Sequence, residues 1–327
     1  MTLTKADESL PAGAARDDRS HRRAALKAAG PRGSARRRRT GGRKTYRLWF
    51  ALPAIALVAF FFAIPFVANG ILSFTKWTGF SSVIRFTGFD NFTSLMSLGI
   101  LGHATLVTVL FALITMVVQN VVGLSLAKAL QHTDRVNSVF RSLFFIPVLI
   151  SPLAAGYIWA AILAPNGPLN GFISLFVPGF DFSWLGQPSS ALLLVGFIDG
   201  WKWSGLVTLV YIAGLNSINR SVVEAAVLDG ASGWRRFRSI EFPLLAPAFT
   251  FNTVLTLVGS FSALDVIFAT TKGGPGDATS VLNVAVFNQY GQGLFGTSSA
   301  LSFMIALLVM ITAVPLIWWL RRREVHA

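Results

Sequence analysis

Apolar residues in this chain gather into six long runs, separated by short segments rich in Gly, Pro, Asn and charge. Each run reaches the about 20 residues that a helix needs to cross a hydrocarbon layer. The runs cover 48–74, 104–129, 140–163, 191–215, 244–269 and 300–320. A backbone in hydrocarbon must satisfy its own hydrogen bonds, so runs of this length predict helices and an all-α membrane protein of six spans. The segments between them read as turns: Ala164-Pro165-Asn166-Gly167-Pro168 and Gly273-Gly274-Pro275-Gly276-Asp277 combine residues with defined turn roles.

Composition agrees with this pattern. Of 327 residues, 53% are hydrophobic and 13% charged, against about a quarter charged in soluble domains. Cysteine is absent, which excludes disulfides, thiolate metal sites and cysteine nucleophiles. The four histidines, His21, His103, His132 and His326, are too scattered for metal-ligand spacing.

Charge orients the spans. Residues 1–47 hold 14 of the 28 Lys and Arg, including Arg36-Arg37-Arg38-Arg39. Such a tail can meet nucleic acid or anionic lipid; the reading adopted is a disordered tail that helps set topology, with lipid and no nucleic acid as partner. With the tail on the cytoplasmic side, 24 Lys and Arg fall inside and three, Lys76, Arg85 and Lys272, fall outside. That bias puts both termini in the cytoplasm. The expected organisation is a tail at 1–47, a membrane domain at 48–320 containing a cytoplasmic loop at 216–242, and a cytoplasmic end at 321–327.

The loop at 216–242 carries the most specific pattern. Ser221-x-x-Glu224 predicts a capping box opening a short helix. Gly230 suits the left-handed residue that closes it. A second short helix would align Trp234, Phe237 and Ile240 on one stripe, and Pro243 would start the next span. Two amphipathic helices of this kind lie on the membrane surface or dock into a partner, for which Ala225, Ala226 and Gly230 are small enough to allow close approach.

The loop resembles the EAA loop of permease subunits in binding-protein-dependent ABC importers, through Glu224-Ala225-Ala226, Asp229-Gly230-Ala231 and the Ile240-x-x-Pro243 ending. Leu264-Asp265, then Thr271-Lys272-Gly273-Gly274-Pro275 and Thr279, resemble the carbohydrate-uptake branch, in the manner of the maltose or glycerol-phosphate first permease. Asn91-Phe92 and Gly167-Pro168-Leu169-Asn170 extend the likeness over about 48–320, while Ala104-Thr105 departs from the Asn-Thr common in that branch. The resemblance implies the type I importer fold in a bacterial cytoplasmic membrane. It also implies a loop in which Glu224, Ala225, Ala226, Asp229 and Gly230 meet an ATPase subunit. The implied partners are a second permease subunit, an ATPase dimer and an extracytoplasmic sugar-binding protein. No Gly-x-x-x-x-Gly-Lys-Ser/Thr loop occurs in the chain, so no cofactor is expected and ATP belongs to the partner.

Polar residues within spans mark a pathway or a buried pair. Asp199 and Lys202 lie three apart on the fourth run, where they are neighbours on a helix that either neutralise each other or line a path. The fifth run offers Thr256 and Ser260 on one face, followed by Asp265. The resemblance places sugar contacts near Thr256 and Ser260, whereas hydroxyls in helices commonly bond their own carbonyls. A different class of function, an ion-coupled carrier using Asp199 and Asp265, leaves the Glu-Ala-Ala loop unexplained. No nucleophile, acid–base or metal constellation supports an enzyme.

Overall fold

A computed structural model describes residues 51–322 apart from 82 and 133. Met1–Ala56 and Leu57–Ala327 form separate units. The basic tail at 1–47 and residues 323–327 lie outside the described residues.

The described chain is helical, with one isolated bridge between Thr75 and Phe86. Four helices are long and apolar enough to cross a membrane: α1 (Leu52–Leu72), α3 (Ile100–Ala129), α7 (Pro188–Ser217) and α13 (Phe295–Arg321). Two bent pairs bring the number to as many as six if each pair is one span: α4 (Arg135–Leu149) with α5 (Pro152–Ile162), and α9 (Gly233–Leu244) with α10 (Ala246–Phe261). Short helices α2 (Asp90–Ser97), α6 (Pro168–Ser174), α8 (Arg220–Leu228), α11 (Asp265–Thr270) and α12 (Leu282–Gly291) fill the connections.

Two predicted spans are not single helices. The run at 140–163 breaks by 98° between α4 and α5. Pro152 drives Ser151 out of the helical region, to ψ 139°, and Pro147 has already removed a donor from the turn before. The run at 244–269 bends by 71° at Leu245 and ends at Phe261, where α11 follows as a separate helix. There the Asn283 amide donates to the carbonyls of Phe261 (3.1 Å) and Ala263 (3.4 Å), satisfying acceptors that a continuing helix would have used. The last helix begins at Phe295, ahead of the predicted 300, because Gly296, Ser298 and Ser299 pack inward despite their small apolar content.

Proline also widens two helices. π-turns at Ala59–Ala63 and Phe237–Glu241 each end two residues before a proline, Pro65 and Pro243. A proline ring collides with the carbonyl four residues back, and a wider turn relieves the collision.

The centre is α3 against α7. Buried positions on α3 recur at helical spacing through Leu101, Ala104, Thr108, Phe111, Thr115, Gln119, Gly123 and Ala127. Facing them, Gly196 and Gly200 of α7 stand one turn apart. A Cβ on Gly196 would sit 2.7 Å from Ile114 Cγ2, and one on Gly200 would sit 2.5 Å from Val118 Cγ1. This is the small-x-x-x-small packing by which membrane helices approach closely without a hydrophobic drive between them. The long-range core joins Val107, Phe111, Val195, Ile198, Val266 and Val284. By contrast, the membrane-length window of α1 has no buried residue, as suits a face toward lipid or a partner.

Candidate functional site

The segment after α7 turns on Asn219, whose side chain accepts from the Ser221 N–H at 3.0 Å. Asn219, and not Ser221, is therefore the N-cap of α8, and the expected capping box is replaced by this cap one residue before the helix. The C-terminus follows expectation. Gly230 adopts φ +77°, its N–H bonds Val227 O and the Ala231 N–H bonds Ala226 O, both at 3.0 Å, which is the Schellman closure.

Glu224, Ala225, Asp229 and Gly230 are exposed, and no atom lies within 4 Å of a Cβ built on Gly230. Ala226 is buried at 5% exposure against its own chain, so of the small residues expected to meet a partner only Ala225 and Gly230 face outward. Val227 and Leu228 are 52% and 88% exposed, and Trp234 71%. A short helix thus presents apolar side chains, small residues and a carboxylate together on an unpacked surface. The second helix carries Trp234, Phe237 and Phe242 as a chain of ring contacts 5.8 and 6.0 Å apart, with Ile240 half-buried.

Glu241 anchors this segment. It is buried, at 5% exposure, between two cations. Arg236 Nε donates to Oε1 at 3.0 Å, and Lys128 Nζ, from the last turn of α3, donates to Oε2. Two partners compensate the desolvation of a buried carboxylate that a single surface pair would leave outstanding. Beside them lies a cleft of about 640 Å³ lined by His132, Asn216, Arg220, Glu224, Arg236 and Glu241.

A second polar group lies within the long helices. A cavity of about 220 Å³ is lined by Gln119 of α3, Asp199, Trp203 and Leu206 of α7, and Leu255 and Thr256 of α10. Next to it, Tyr211 Oη donates to Asn120 Oδ1 at 2.5 Å and Asn120 Nδ2 donates to Thr256 Oγ1 at 3.1 Å. Three helices are thereby linked by one hydrogen-bonded chain. Asn252, fully buried, gives its amide to Val207 O at 3.2 Å, while its oxygen and the Thr253 hydroxyl have no partner.

The predicted path residues divide. Asp199 and Thr256 meet at the cavity. Lys202 does not form an ion pair with Asp199: its Nζ lies over the Trp203 ring, 3.7 Å from the centroid, and toward Val148 O at 3.5 Å. The two charges lack a direct ion pair but still act on each other electrostatically. Ser260 donates to Thr256 O at 2.7 Å, and Thr256 to Thr253 O at 3.1 Å, the backbone bonding common for helix hydroxyls. Asp265 is exposed at the start of α11 and does not line the cavity.

Gln119, Asn120, Tyr211 and Asn252 are polar interruptions of apolar runs, the same signal that marks Asp199. Lys128 and Glu241 carried no such signal, since their pairing spans 113 residues.

With this geometry in hand, residues 119–322 match the family described as binding-protein-dependent transport system inner membrane component. The chain belongs to this family. It is similar to the trehalose/maltose transport system permease protein MalF of Thermococcus litoralis, 30% identical over 79% of this chain and 88% of the relative. It is also similar to the sn-glycerol-3-phosphate transport system permease protein UgpA of Brucella abortus, 34% identical over 80% and 90%. A crystal structure of a bacterial ABC transporter involved in import of the acidic polysaccharide alginate shares the fold. Its TM-score is 0.72 at 20% identity, covering 84% of this chain and 96% of the other. The matched family segment contains both the Lys128–Glu241 pair and the α8 surface.

Proposed function

We propose that this chain is the permease subunit of an ATP-driven sugar importer, forming half of a translocation path and receiving motion through the 216–242 loop. The observation that carries the reading is the α8 surface. A permease-family chain holds Glu224, Ala225, Asp229 and Gly230 on an exposed helix with an apolar edge, the chemistry of a docking element. The names of MalF and UgpA support solutes of the sugar and glycerol-phosphate class.

In this reading α4 with α5 forms one span and α10 another, giving six with the four long helices, while the 216–242 loop, which includes most of α9, and both termini face the cytoplasm, where the Lys and Arg excess belongs. Separate ATPase chains bind and hydrolyse ATP, and their closure pushes α8. A second permease subunit covers the exposed apolar helix faces. An extracytoplasmic binding protein delivers solute, and the chain resides in the cytoplasmic membrane. The cavity at Asp199 and Thr256 is the stretch of path where solute hydroxyls find acceptors, with Gln119 added to the expected residues. Ser260 and Lys202 support the helices, and Asp265 lies outside the cavity. An ion-coupled carrier is not favoured, because Asp199 and Asp265 do not share a site.

Vesicles containing the chain with its permease and ATPase partners test this. Uptake is expected to require ATP and the ATPase chains. Gly230→Pro is expected to abolish uptake while the protein stays in the membrane, because proline cannot reach φ +77° or donate to Val227 O. Uptake by this chain alone, driven by an ion gradient, contradicts the reading.

A further inference from the structure

We infer that the Lys128–Glu241 ion pair is the strut through which the 216–242 loop moves α3, making Lys128 and Glu241 positioning residues for transport. This deepens the permease reading and rests on it.

The loop has few other ways to transmit a push. α8 is mostly exposed, with Ala226 its one buried residue, so it moves readily but grips little. The continuous chain leads from the loop into α10 through a 71° bend at Leu245. A bend absorbs rotation unless something spans it. Glu241 sits four residues before that bend, and its carbonyl accepts the Leu245 N–H at 2.9 Å. Its carboxylate reaches Lys128 in the last turn of α3, and the Lys128 ammonium also lies 5.6 Å from the Phe237 ring centroid. Leu245, 1% exposed, packs in the same cluster as Ala127 of α3, Leu130 just past its end and Tyr211 of α7. Displacement of the loop therefore bears on the base of α3. From there the close α3–α7 packing carries it to the cavity lined by Gln119 and Asp199.

The triad supplies its own control. Glu241 has two cationic partners, and they differ in one respect. Arg236 belongs to the loop itself, five residues from Glu241, whereas Lys128 belongs to another helix. Removing either leaves the buried carboxylate paired with the other, so the two substitutions remove the same kind of partner from the same group. Neutralisation of the buried carboxylate treats them alike. A strut depends on Lys128 only.

The experiment compares Lys128→Met and Arg236→Met in the full complex, reconstituted in vesicles with its permease, ATPase and binding-protein partners. Radiolabelled maltose, trehalose, lactose and sn-glycerol 3-phosphate are the probes, and the quantity read is solute accumulated per ATP hydrolysed. For Lys128→Met the ratio is expected to fall by about tenfold while ATP hydrolysis continues, the range of ordinary coupling energies between sites. For Arg236→Met it is expected to stay within about twofold of wild type, below the same range. Equal ratios in the two variants, whether both normal or both lost, overturn the inference, as does a larger loss in Arg236→Met. Absence of ATP-driven accumulation of any probe by the wild-type complex overturns the permease reading, and the strut with it. Equal variant ratios beside an active wild type overturn the strut alone.

Discussion

Asn170 illustrates how single polar residues hold the connections of this protein. It is 2% exposed, donates to Pro165 O and Phe182 O at 2.9 Å each, and accepts from Trp184 Nε1 at 2.6 Å. Two loop segments, one at Pro165 and one at Phe182 and Trp184, converge on one side chain. Asn170→Ala leaves two carbonyls and an indole N–H without their partner and is expected to cost about 2–3 kcal/mol. The measurement is thermal unfolding of the purified protein in detergent, with faster proteolysis of the segment at 164–187 as the local sign. Asn91 works in the same way, donating to Ser73 O at 2.8 Å and Thr75 O at 2.9 Å. Thr279, fully buried, contacts the Thr271 hydroxyl at 2.6 Å and donates to Gly274 O at 2.8 Å across the glycine-rich loop. All three residues belong to motifs that stood out in the sequence. Their bonds explain the residue types, since a short amide or hydroxyl reaches nearby backbone groups that have no water to turn to.

At the scale of elements, helix packing depends on the absence of side chains as much as on their presence. Gly196 and Gly200 let α7 lie against Ile114 and Val118 of α3, and Gly123 of α3 meets Val207 of α7 in return, where a Cβ would sit 2.6 Å from Cγ1. Gly200→Val is expected to separate the two helices and cost about 1–3 kcal/mol or more by overpacking. The expected result is reduced folded protein in the membrane and a lowered unfolding temperature. Gly259 has no atom within 4 Å of a built Cβ, so Gly259→Ala is the matched control and is expected to leave the unfolding temperature nearly unchanged. The hydrophobic pattern located these helices well, since run length and helix length both follow from the thickness to be crossed. It failed at the breaks. Proline marks a break only when its neighbours are free to leave the helix: Pro315 sits inside an unbroken α13, while Pro152 opens a new helix. The end of α10 at Phe261 depends on Asn283, 22 residues away.

For the whole molecule, the arrangement of charge yields a topology that is simple to probe because the chain has no cysteine. A single cysteine placed at Ala231, beside the exposed loop helix, is expected to react with a membrane-impermeant maleimide only when the cytoplasmic face is open. One placed at Asp277, exposed in the glycine-rich loop, is expected to react from the opposite face of intact cells. Labelling of both positions from the same side contradicts the orientation.

The amino-acid order by itself determined that the chain is helical and suited to a membrane. It also located the segments long enough to cross and singled out one loop by a dense local pattern. Those properties depend on run length, net charge and residues within about 25 positions of one another, all of which a linear reading contains. The tertiary structure alone decided which polar groups meet. It turned the Lys202 ammonium onto the Trp203 ring instead of into a direct ion pair with Asp199, brought Asp199 to Thr256 and Gln119, and joined Lys128 to Glu241. It also turned Ala226 inward while leaving Ala225 and Gly230 outside. The physical reason is that burial and pairing depend on the rotation of each helix about its axis and on its neighbours. Those are set by close packing among glycines and side chains far apart in the chain.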